Sequence, residues 1–130
     1  MGSPKFIELA GSASEGIILP SGKILVMDQL LDGDPQKKIL QDYRDMYVAK
    51  NGGSVSGFGG YAHDAMTLLA AALKGSNGDK QRIRDALETM ENHVGVTGRF
   101  SFSPEDHNGL DSSAFVMVEI KNGTWKLLEK

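Results

Sequence analysis

Few residues in this chain could do chemistry: the His/Asp neighbours His63-Asp64 and Asp106-His107, scattered serines, a glycine group at Gly57, Gly59 and Gly60, and the aromatics Phe58 and Tyr61 among those glycines. Serine, histidine and aspartate are the inventory of a nucleophilic triad, in which the imidazole takes the serine proton and the carboxylate orients the imidazole. No G-x-S-x-G elbow accompanies them, and neighbouring residues on a helix point in different directions. Solvated or capping polar groups are the expected reading, with no catalytic residue. The loop holding Glu105, Asp106, His107 and Asp111 has neither the H-x-x-x-H spacing of zinc sites nor the D-x-D-x-D-G pattern of a calcium loop. It predicts a turn held by Asx-type hydrogen bonds, and neither a metal nor a cofactor is expected. The glycine group lacks both G-x-x-x-x-G-K-[ST] and G-x-G-x-x-G, so it does not read as a nucleotide site. Phe58 and Tyr61 keep two readings, core residues or ligand contacts beside a helix start.

Those aromatics open the stretch Phe58 to Leu73, the most apolar helical run in the chain, where Tyr61, Ala65, Leu68, Leu69, Ala72 and Leu73 recur at helical spacing. Such a helix is expected to be covered on more than one side. A second helix is expected from Pro35 to about Lys50, with Asp34 as its N-cap, Pro35 at its first position and an apolar face of Ile39, Leu40, Tyr43, Met46 and Tyr47. Asn51-Gly52-Gly53 ends it. A third runs from about Asp79 to Glu91, with Ile83, Ala86, Leu87 and Met90 on one face. Lys5 to Gly11 reads as a helical or irregular lead-in.

Strand patterns alternate with these helices, the mark of an α/β fold. Gly16 to Leu19 and Lys23 to Met27 read as extended segments separated by a Pro20-Ser21-Gly22 turn. Gly95 to Ser103 reads as a strand opened by glycines. Ala114 to Lys121 and Thr124 to Leu128 form a hairpin, because Asn122-Gly123 suits a type I′ turn. That closure pairs Lys121 with Thr124, Ile120 with Trp125, Glu119 with Lys126 and Val118 with Leu127. Val116, Val118, Ile120, Trp125 and Leu127 then form one apolar face.

A chain of 130 residues with 40% hydrophobic content has room for one core. The formal charge of -3, with both signs interspersed, gives no footprint for nucleic acid. Zero cysteines removes disulfides and thiolate chemistry. No apolar run approaches the ~20 residues of a membrane-spanning helix. Met1-Gly2-Ser3 reads as a cloning remnant, and Pro4-Lys5-Phe6 follows with no cap or turn signal, so the chain is expected to derive from something longer.

The order EGIILPSGKILVMDQL, DPQKKILQDYRDMYVAKNG, FGGYAHDAMTLLAAAL, GRFSFSPEDHNGLD and FVMVEIKNGTWKLL resembles the C-terminal third of the leucine/isoleucine/valine-binding receptors of branched-chain amino acid ABC transporters. Its most specific parts are Tyr61-Ala62-His63-Asp64-Ala65 and the run Gly98-x-Phe100-x-Phe102-x-Pro104-x-Asp106-x-x-Gly109. The resemblance implies an incomplete portion of a two-lobed class I periplasmic-binding-protein fold. Residues from about 28 to 113 would belong to the first lobe, and about 4–27 and 114–130 to the second. It further implies an extracytoplasmic receptor without catalysis, on the periplasmic or extracellular face of the membrane. Such a receptor delivers an amino acid or similar small carboxylate to ABC permease subunits. Groups holding the ligand's carboxylate and ammonium would lie outside this chain, leaving Ser56, Phe58 and Tyr61 near the ligand's side chain. His63 departs from the tyrosine frequent there. Missing partner surfaces predict self-association, since each large apolar side chain left in water forfeits about 1.5 to 3 kcal/mol. The alternative is an autonomous small α/β domain, an amino-acid sensor or an enzyme using His63 or His107.

Overall fold

The computed structural model describes residues 4–128, so the cloning-remnant reading of residues 1–3 and the last two residues of the second-lobe segment lie outside the described residues. In chain order the elements are α1 (Pro4–Ala10), β1 (Ile18–Gly22), α2 (Lys37–Asn51), α3 (Gly57–Leu73), α4 (Lys80–Glu88), β2 (His93–Val94), β3 (Arg99–Phe100), β4 (Phe115–Lys121) and β5 (Thr124–Leu127). Short 3₁₀ turns occupy Gly11–Ser14, Lys23–Gln29 and Ser112–Ala114.

The hairpin forms in the register that its turn dictates. Asn122 and Gly123 take φ of 53° and 67°, as a type I′ turn requires, and the four expected cross-strand pairs are all present. Val118 and Ile120 are completely buried on the apolar face. The N-terminal segment reaches across to this turn, where the Glu15 carboxylate accepts the Asn122 and Gly123 N–H groups at 2.8 and 2.6 Å.

Pro20-Ser21-Gly22 is not the expected turn. It lies inside β1, which pairs antiparallel with β4 from Ile18↔Glu119 to Gly22↔Phe115, giving the sheet order β1-β4-β5. An edge strand tolerates proline because one side of its backbone needs no donor. Lys23 to Met27 is likewise not extended. It coils into a 3₁₀ segment, broken at Val26, that drops Ile24, Val26 and Met27 into the interior. With Leu30, Leu40, Tyr43 and Val96, Ile24 and Met27 make the central cluster. Burial of this β-branched run against α2 decides its conformation, overriding its strand propensity. The Gln29 amide then covers the edge of β5, donating to the Trp125 carbonyl at 3.0 Å and accepting from Leu127 N–H at 2.9 Å.

Helix α2 begins two residues later than expected. The Asp34 carboxylate accepts the Gln36 N–H at 2.8 Å and forms an ion pair with Lys23 at 2.9 Å, making a turn ahead of the helix rather than its cap. Leu40 and Tyr43 are buried, whereas Met46 from the expected apolar face is exposed. Helix α4 ends near Glu88, three residues early, and is capped by Asp79 accepting from Arg82 N–H at 2.8 Å. The expected strand from Gly95 to Ser103 shrinks to two residues, Arg99–Phe100, paired with β2. Gly95 and Gly98 form a tight loop instead, with Gly95 N–H donating to the Gly98 carbonyl at 2.8 Å.

Candidate functional site

Helix α3 is set by its first turn. Ser56, in extended conformation, caps it by accepting the Gly59 N–H at 3.4 Å, and the Ser56 carbonyl accepts from Gly60 at 3.2 Å. Gly59 is needed because Tyr43 of α2 runs beneath this turn: a β-carbon there would meet the Tyr43 hydroxyl at 2.5 Å. Burial, the neighbouring Tyr47 and the Asp64 carboxylate push the Tyr43 phenol above its ordinary range. Gly60 serves the same close approach on the next face, its missing β-carbon leaving 3.1 Å to side-chain carbons of Val96 and Thr97.

Asp64, one turn further along, is nearly inaccessible, and its carboxylate is spent on the loop after β2. It accepts Val96 N–H at 2.8 Å, Thr97 N–H at 2.7 Å and the Thr97 hydroxyl at 2.6 Å. From the other side the buried Gln36 amide donates to the Gly95 and Val96 carbonyls at 3.1 and 3.4 Å. The loop is thus gripped by its donors and its acceptors at once, as buried backbone groups require. No feature of the single sequence separated Asp64 from its histidine neighbour; a buried carboxylate aimed at a glycine-flanked loop becomes visible only in three dimensions.

This loop, the start of α3, β1 with the following residues to Leu25, and the segment Leu110 to Phe115 enclose a cleft of about 360 Å³. Ser56, Phe58 and Tyr61 all line it. Neither aromatic is core: Phe58 is 84% exposed and Tyr61 56%. Sequence reasoning missed the facing residues Ser21, Thr97, Leu110 and Phe115. Phe115 carries a legible signal, standing on the open side of the β4 alternation opposite buried Val118 and Ile120.

The other chemical candidates are not brought together. His63 Nδ1 lies 3.5 Å from Asp64 Oδ1, is buried, and has no hydrogen-bond partner among the described residues. Its ring packs edge-on against Tyr43 at 5.0 Å. Asp106 holds an Asx turn, accepting from Asn108 and Gly109 N–H groups at 2.8 and 3.3 Å, and His107 Nε2 sits 3.2 Å from Glu88 Oε1. Asp111 caps the Ser112–Ala114 turn; hydrogen bonds from the Ser113 hydroxyl and N–H hold its carboxyl below the usual range.

The arrangement of α3, the gripped loop and the sheet is part of the class I periplasmic-binding-protein fold. An extracellular ligand-binding receptor from Rhodopseudomonas palustris HaA2 superposes with a TM-score of 0.87 and 27% identity, over 98% of this chain and 38% of that one. A leucine binding protein from Thermotoga maritima matches with a TM-score of 0.72 and 20% identity, over 98% of this chain and 34% of its own. An ABC transporter solute binding protein from R. palustris in complex with benzoate matches with a TM-score of 0.68 and 23% identity, over 94% and 31%. The chain therefore spans less than two fifths of the length of these structures. Their names are those of a ligand-binding receptor, a binding protein and a transporter's solute binding protein. No family profile and no curated protein matches the chain.

Proposed function

We propose that this chain supplies one wall of the ligand cleft of an extracytoplasmic solute-binding receptor. The receptor captures a branched-chain or related amino acid, or a similar small carboxylate, and delivers it to ABC permease subunits without catalysis. The observation that carries this reading is the pair Phe58 and Tyr61, left exposed at a capped helix start above a cleft of ligand size. Ser56 completes the contact set as cap and hydroxyl. One neighbour of this fold is named a leucine binding protein and another is in complex with benzoate, so the fold alone leaves the ligand open.

In this reading residues from about 28 to 113 belong to the first lobe, and about 4–27 and 114–130 to the second. The union of β1 with β4 and β5 in one sheet supports that division, since it joins the two distant second-lobe stretches. The exposed outer side of α3, with Met66, Leu69 and Leu73, is then a surface for further receptor chain; in its absence the chain self-associates.

Calorimetry with a panel of amino acids and small carboxylates tests the reading. The full-length receptor is expected to bind its ligand at micromolar concentration or tighter, and the 130-residue chain on the order of a thousandfold more weakly, about 4 kcal/mol less. Micromolar binding by the chain alone would overturn the one-wall reading in favour of a self-sufficient domain.

A further inference from the structure

We infer that the cleft takes the ring of an aromatic small molecule in preference to a branched aliphatic side chain. This rests on the ligand-wall reading above and narrows it. Three aromatic side chains line the cleft from three separate elements: Phe58 and Tyr61 from α3 and Phe115 from the start of β4, on the far side of the gripped loop. All three keep more than half of their surface in water, at 84%, 56% and 54%. The aromatic pairs of the fold lie elsewhere, Tyr43 with Tyr47 and His63, and Phe100 with Phe102. The cleft rings are thus available to a ligand, and ring edges and faces favour another ring over an alkyl group of equal area.

Charge points the same way. None of the described residues lining the cleft is ionisable as an acid or base in the neutral range. The carboxylate behind its wall, Asp64, is consumed by the Val96 and Thr97 donors. The described lining offers no carboxylate to pair with an ammonium group. Thr97 donates its hydroxyl hydrogen to Asp64, so toward the cleft its oxygen has only acceptor capacity. At Thr97, whose N–H and hydroxyl hydrogen are both spent on Asp64, a ligand carboxylate finds no donor, whereas a ring can lie against Phe58, Tyr61 and Phe115.

The test uses ¹⁵N-labelled 130-residue chain at millimolar ligand, with two matched pairs: phenylalanine against leucine, and 3-phenylpropionate against 4-methylvalerate. The expected result is that the ring-bearing member of each pair shifts the amides of Phe58, Tyr61, Thr97 and Phe115 with about tenfold tighter affinity. The double variant Phe58→Leu/Phe115→Leu, at two exposed positions, should bring the members of each pair to within about twofold. Equal or tighter binding of the aliphatic members at those amides would overturn the ring preference while leaving the ligand-wall reading intact. Absence of any shift at those amides, with all four probes, would overturn both.

Discussion

Helix α3 has an inner face of Gly60, Asp64, Thr67 and Ala72 and an outer face of Phe58, Met66, Leu69 and Leu73, and their sizes are the reverse of those on an ordinary surface helix. The small and polar residues are inside, and the large apolar ones are in water. A helix usually buries its apolar stripe. Here the inner face meets the loop at Val96 and Thr97: a β-carbon at position 60 would stand 3.1 Å from side-chain carbons of both, a tight fit that favours glycine, and the loop's N–H groups need the acceptor at position 64. The comparison separates two roles. The inner face stabilises this chain, while the outer face stands exposed.

The largest expected effect comes from breaking the inner face. Asp64→Ala strands two backbone donors and one hydroxyl and should cost about 3 kcal/mol or more, read from urea unfolding. If stability holds within 1 kcal/mol, the loop is not gripped as described. Gly95→Ala attacks the same contact from the loop side, because its β-carbon would stand 2.7 Å from the Asp64 carboxyl carbon; about 1 to 3 kcal/mol is expected. The outer face should respond oppositely. Met66→Lys with Leu69→Lys should leave monomer stability within about 0.5 kcal/mol per site and shift the chain from self-associated to monomeric, measured by size exclusion with light scattering. A clean monomer before substitution would remove the distinction between the faces. The smallest effect is spectroscopic. Burial raises the Tyr43 phenol above its unfolded value, so the neutral ring is favoured in the fold, and that contribution is present below pH 10 and lost as pH rises through the folded value. Titration at 295 nm should show one tyrosine ionising above the ordinary range, and Asp64→Asn, which removes one of the three causes, should move it down.

Much of this organisation is written in local signals. The Asn122-Gly123 turn fixes the hairpin register because both residues tolerate positive φ and each side chain's face follows by alternation. Helices α2, α3 and α4 follow from apolar spacing, within two or three residues at their ends. The errors share a cause, that the deciding partner lies far away in sequence. Pro20-Ser21-Gly22 looks like a turn until β4 arrives beside it, and Lys23 to Met27 looks like a strand until α2 packs on it. The cleft was legible on one side only. Ser56, Phe58 and Tyr61 lie within one six-residue stretch at a helix start, whereas Thr97 on its loop and Phe115 at the start of β4 are brought to the same space by connections whose course no spacing rule reveals.

The pairing of β1 with β4 also orders events in time. Roughly 100 residues separate the partners, so at about 5 to 20 residues per second of synthesis β1 waits roughly 5 to 20 s for β4 to be made. Throughout that interval its backbone donors and acceptors are open to any other extended chain. Pro20 sits at the middle of this exposed strand and removes one donor from it, a guard against mispairing during the wait. The Glu15 carboxylate then closes on the Asn122-Gly123 turn, so the sheet is sealed by contacts between residues 107 and 108 positions apart in sequence.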